Sequence, residues 1–75
     1  MTDQPEEAEY MAALCHMKER GLVPYQSDCI VAGDNAEATQ IASRWATAVG
    51  FTGERTWLQV TLDGIEVYSR ELRAL

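Results

Sequence analysis

The side chains best suited to chemistry are a single histidine, His16, and two thiols, Cys15 and Cys29. A thiol needs a base within hydrogen-bond reach to become a nucleophile. Cys15 precedes His16 directly, so on a strand the two point to opposite faces and do not pair. Cys29 is better placed if the strands around positions 15 and 29 pair, because it then faces His16 with Asp28 nearby in a Cys-His-Asp arrangement. No oxyanion donor accompanies that arrangement. The three residues also fail as a metal site, since adjacent ligands rarely converge and a fourth is missing. These residues therefore read as two packed thiols and a partly exposed histidine. The same strand pairing would bring Cys15 and Cys29 close enough to oxidise in vitro.

Other chemistry is sparse. The chain contains no G-x-x-x-x-G-K-[ST], G-x-G-x-x-G, H-E-x-x-H or C-x-x-C. Gly33, Gly50, Gly53 and Gly64 punctuate element ends. Glu66 and Glu71 lack an apolar pocket that would raise their pKa values for acid/base work. The expectation is a protein that is not an enzyme and uses neither cofactor nor metal. Arg44, Arg55, Arg70 and Arg73 are too few against twelve acidic residues to line a nucleic-acid groove.

The remaining constellation sits on a hairpin at positions 56–72. Two alternating apolar runs flank Asp63-Gly64, a dipeptide suited to the type I′ turn, which needs φ > 0 at both central residues. A regular two-residue hairpin pairs Leu62 with Ile65, Val60 with Val67 and Leu58 with Ser69 on an apolar face. The opposite face pairs Thr61 with Glu66, Gln59 with Tyr68 and Trp57 with Arg70. Trp57 and Arg70 would then form a cation–π contact. Two aromatics and an arginine on an uncovered face have the composition of a protein-interface hot spot. Trp57, Gln59, Glu66, Tyr68 and Arg70 are accordingly the candidate partner-binding residues.

Positioning that hairpin requires a sheet and something to cover it. A helix over 34–49 is predicted from the capping pattern Asp34-x-x-Glu37 and from Ala38, Ile41, Ala42, Trp45 and Val49 at helical spacing. Gly50 ends it, and Phe51 can fold back on the last turn. Positions 27–32 read as a strand leading into the cap. Residues 5–20 admit two readings. Good helix formers, with Gly21 and Pro24 as stops, favour a helix carrying Tyr10, Leu14 and Met17 in a stripe. The need to complete a thin three-stranded sheet favours a strand over 10–17. The strand reading gives an α+β fold, with a small antiparallel sheet and one helix in the order β-β-α-β-β. Its core is Ile30 (or Cys29 and Val31), Ile41, Trp45, Val49, Leu58, Val60, Leu62, Ile65 and Val67.

Bulk properties bound the rest. Seventy-five residues, 47% apolar and 24% charged, make one small globular domain. No apolar run approaches the ~20 residues that span a bilayer. The start of the chain lacks the basic and apolar regions of a secretory signal, so the expected compartment is the cytoplasm. The net charge is −6, and Asp3, Glu6, Glu7 and Glu9 supply four of the negative charges, leaving −2 for the rest. Residues 1–9 thus read as an acidic arm preceding a domain at 10–75. That balance opposes direct nucleic-acid binding and permits a basic protein partner.

The element order, with Gly-Asp-Asn-Ala-Glu-Ala opening the helix and Trp-Leu-Gln-Val-Thr-Leu-Asp-Gly entering the hairpin turn, resembles small uncharacterised bacterial and phage proteins. Some phage anti-CRISPR proteins are similar in size and order, over residues 27–72. The resemblance implies an inhibitor that sterically occupies a host nucleic-acid-handling complex, and it supplies no catalytic residue. The alternative expectation is a self-associating structural domain, a homodimer through a sheet edge or the aromatic face.

Overall fold

A computed structural model describes residues 7–50 and 56–72. Its elements are β1 (Ala8–Lys18), β2 (Gly21–Ala32), α1 (Asn35–Val49), β3 (Thr56–Leu62) and β4 (Ile65–Leu72). The four strands form one antiparallel sheet in the order β2-β1-β3-β4. The fold is α+β, with β-β-α-β-β order and a strand at the N-terminal end. Because β2 and β3 both run antiparallel to β1, they are parallel to each other, and α1 joins them across one face. Strand β1 lies between them and is paired on both sides.

This placement settles the ambiguous start of the chain. Helix propensity at 8–18 yields to two flanking strands that satisfy the β1 backbone on both sides. Gly21 and Pro24, which read as helix stops, lie inside β2 instead. Pro24 is tolerated because β2 is an edge strand, and Tyr25 is an extra residue in a bulge between Leu14/Gln26 and Cys15/Pro24. The acidic positions Asp3 and Glu6 lie outside the described residues, as does Phe51. Ala8 and Glu9 already belong to β1.

The helix forms where expected, with Asp34 as its N-cap. The Glu37 N–H donates to Asp34 Oδ1 at 2.8 Å, and the Gly33 N–H donates to Glu37 Oε1 at 2.6 Å. The return bond of the capping pattern thus reaches one residue further back than the N-cap N–H. The helix meets the sheet through its smallest residues. Ala38, Ala42 and Ala46 are fully buried, while Ile41 and Trp45 pack on the flank and Val49 is exposed. Ala46 was not expected in the core. An alanine stripe lets the helix axis approach the sheet closely. The other flank carries Thr39, Ser43 and Thr47, whose hydroxyls each donate to the carbonyl four residues earlier.

The sheet side of the core is Tyr10, Ala12, Leu14, Ile30, Ala32, Leu58, Val60 and Leu72. Tyr10 donates from Oη to Asn35 Oδ1 at 2.8 Å, tying β1 to the start of the helix. Cys29 and Val31 are exposed neighbours of the buried Ile30. Ile65, expected in the core, is 70% exposed beside the hairpin turn.

Candidate functional site

The Asp63-Gly64 turn has φ of 53° and 80°, as a type I′ turn demands. Leu62 pairs with Ile65 and Thr61 with Glu66, and then the register shifts. Val60 pairs with Tyr68, Gln59 with Ser69, Leu58 with Arg70 and Trp57 with Glu71. Val67 is the extra residue of a β-bulge, and it changes which face every later β4 side chain occupies.

Cross-strand partners point to the same face. Tyr68 and Arg70 therefore stand with Val60 and Leu58 on the helix side, and Tyr68 and Val67 both pack against the core. The regular-hairpin pairs Val60–Val67, Leu58–Ser69, Gln59–Tyr68 and Trp57–Arg70 are corrected accordingly. Trp57 and Arg70 lie on opposite faces, so the cation–π pair does not form. Of the five candidate partner-binding residues, Trp57, Gln59 and Glu66 share the helix-free face, whereas Tyr68 and Arg70 do not. The bulge carries no sequence marker as plain as the Asp-Gly turn. A Leu at position 72, in phase with Tyr68 rather than Val67, was the available signal.

The helix-free face is a patterned surface. Running from β2 through β1 and β3 to β4, one row holds Cys29, Met11, Thr61 and Glu66. The next holds Ser27, Ala13, Gln59 and Ser69, and the third holds Pro24, Cys15, Trp57 and Glu71. The β2–β1 half is mainly apolar, with the exposed Glu9 beside Val31 at one end, and the β4 edge carries Glu66 and Glu71. Small residues lie at the middle of the face: Ala13 and Cys15 are buried between Met11 at 42% and Met17 at 39% exposure. Among the described residues no lysine or arginine lies on this face. Lys18 and Arg70 point to the helix side, Arg44 is on α1, and Arg20 is in the β1–β2 turn.

Polar groups on the face are linked. The Cys15 thiol donates to Gln59 Oε1 at 3.8 Å, and Gln59 Nε2 donates to Glu66 Oε1 at 3.0 Å. Burial, reinforced by the Glu66 carboxylate, pushes the Cys15 thiol above its ordinary pKa. A thiol held protonated in this way is a poor nucleophile. His16 is no help to it, since its ring faces the other side and stacks on Tyr25 with centroids 4.4 Å apart. Across the strands His16 meets Val23, not Cys29. Cys29 is opposite Met11, four positions from Cys15, or about 13 Å along the sheet. The Cys-His-Asp arrangement and the intramolecular disulfide are both ruled out by this register.

Elsewhere the described residues offer little. No group of three or more His, Cys, Asp or Glu among them could hold a metal ion. A shallow depression on the outer side of α1 is lined by Ser43, Arg44, Thr47 and Ala48, with two of its hydroxyls engaged by the helix backbone. No helix among the described residues is long and apolar enough to cross a membrane. Comparison with family models, curated proteins and solved structures returned no match.

Proposed function

We propose that this protein is a non-enzymatic binding module that occupies a basic protein partner through its helix-free sheet face. The observation that carries the reading is the two-tone pattern of that face, with Met11, Met17 and Val31 exposed on one half and an acidic edge on the other. Exposed apolar side chains rimmed by charge are the usual mark of an interaction surface. Methionines suit such a surface because they adapt to the partner's shape. Steric occupation of a host nucleic-acid-handling complex is the most concrete form of this function. It is supported by the negative balance of the chain and by the size-and-order resemblance to anti-CRISPR proteins.

Self-association through a sheet edge is the less favoured reading. On the exposed β2 edge Pro24 has no N–H to offer, and the Cys29 N–H already donates to Asp28 Oδ1 at 2.8 Å. The decisive comparison is affinity capture with the wild type, Met11→Glu and Gln40→Glu, the last on the exposed outer surface of α1. Capture lost with Met11→Glu and kept with Gln40→Glu supports the reading. Capture kept by a folded Met11→Glu protein removes the face from consideration.

A further inference from the structure

We infer that the helix-free face receives an amphipathic α-helix lying along the strands, with an apolar stripe over β1 and basic residues on the flank facing β4. This inference rests on the open face being the binding surface and names what binds there. The geometry is matched in width. Four strands at ~4.8 Å spacing span about 14 Å between outer strands, close to one helix diameter of 10–12 Å. Ala13 and Cys15 are small and already buried at the middle of the face, so such a helix would rest on the surrounding Met11, Met17 and Trp57. Helix-in-groove recognition uses this arrangement of apolar anchors.

Charge fixes the orientation and excludes a second copy. Glu66 and Glu71 lie on the same edge, opposite Thr61 and Trp57 respectively. Four β3 positions separate the two rows, about 13 Å. On a helix rising 1.5 Å per residue, cations at i and i+7 or i+8 cover that span. A face-to-face pair of identical chains has its two-fold axis in the interface plane. With the axis across the strands, Glu66 of each chain approaches Glu71 of the other. With the axis along the strands, those carboxylates land on the apolar Cys29 and Pro24 side. Among the described residues neither stack gives the acidic edge a cation, whereas a basic-flanked helix does.

The test is selection of a displayed library of about 20-residue helix-forming peptides on the full chain, with Met11→Glu, and separately Glu66→Lys with Glu71→Lys, as counter-targets. Circular dichroism verifies that each variant folds. The expected winners carry an apolar i, i+4, i+7 stripe and Lys or Arg at i and i+7 or i+8 on one flank. Their affinity should fall about tenfold or more on the double-lysine protein and recover when the peptide's cations become glutamates. Winners that need Met11 but show no basic bias overturn the helix inference and leave the open face as the binding surface. Winners indifferent to Met11→Glu, or no enrichment over it, overturn both. A wild-type dimer in sedimentation that Met11→Glu dissociates replaces the helix with a second copy.

Discussion

The bulge at Val67 predicts that Leu72→Ala is costly, although position 72 is the last residue of an edge strand. In the bulged register Leu72 pairs with Thr56 on the helix side and is 6% exposed within the core. A regular hairpin would place it on the opposite face with Tyr68 and Arg70. Truncating a buried leucine removes its transfer free energy and leaves a cavity, about 2–5 kcal/mol. At a strand end, where neighbours relax more easily, the lower part of that range applies, about 2–3 kcal/mol. A 75-residue chain has a total stability of roughly 4–11 kcal/mol. At ~4–8 °C per kcal/mol, the variant should melt some 10–20 °C lower. Urea unfolding followed by tryptophan fluorescence provides the assay, with an unchanged m value showing that stability alone has moved. Glu71→Ala, on the exposed edge of the other face, is the matched control and should stay within about 0.5 kcal/mol. Deleting Val67 is a second arm, because it removes the extra residue and keeps every pair beyond it. That deletion should cost only the half-buried valine, about 1–2 kcal/mol. Leu72→Ala and Tyr68→Ala both within 0.5 kcal/mol of wild type would refute the bulged register.

Four further outcomes follow from the same structure. Ala42→Leu forces extra methylenes into a fully buried helix–sheet contact and should cost about 1–3 kcal/mol in the same urea assay, more than Ala48→Leu on the exposed side. Asp34→Ala removes the side chain that accepts the Glu37 N–H and should cost about 1 kcal/mol, with Asp34→Asn or Asp34→Ser restoring most of it. In alkylation timed by mass spectrometry, Cys29 should react promptly in the native protein and Cys15 only on unfolding. Because the fold raises the Cys15 pKa, its protonated thiol is the native form, and this contribution to stability is complete below the ordinary thiol pKa. As pH rises beyond that, the unfolded chain loses its proton first, so stability falls until Cys15 itself ionises. A Cys15→Ala variant should show a smaller alkaline decline.

Much of the architecture is legible from local chemistry. The Asp63-Gly64 turn and the Asp34 cap rest on interactions within a few residues and form as read, whereas the strand read at 27–32 is the end of a longer β2 that pairs with β1 from Gly21. The less legible features depend on distant partners. Residues 8–18 have helical propensity, and only pairing on both sides makes them a central strand. The buried helix stripe is Ala38, Ala42 and Ala46, rotated from the larger Ile41 and Trp45 that hydrophobicity alone favours. Close approach between helix and sheet selects small residues, and a scale that ranks side chains by apolar area cannot register that selection. Trp57, Gln59 and Glu66 share the face expected of them because they precede the bulge or oppose it from β3. Tyr68 and Arg70 change sides because they follow it.

That exchange of faces shapes the proposed binding surface as much as the fold. Under a regular register the outer hairpin face would carry Tyr68 and Arg70, a mixed aromatic and basic patch. The bulge replaces them with Ser69 and Glu71, so that every ionised β4 side chain on the open face is acidic. The apolar half then comes from β1 and β2 rather than from the hairpin, through Met11, Met17 and Val31. On the proposed reading, this surface selects its partner on two counts at once. An apolar partner without cations leaves Glu66 and Glu71 desolvated and unpaired at the edge, while a cationic partner without an apolar stripe gains only screened surface contacts. Binding should accordingly weaken, but not vanish, between low and moderate salt. On the proposed reading a nucleic acid, which offers neither the cations nor the stripe, should not bind, because its phosphates would meet the edge that steers a basic helix into place.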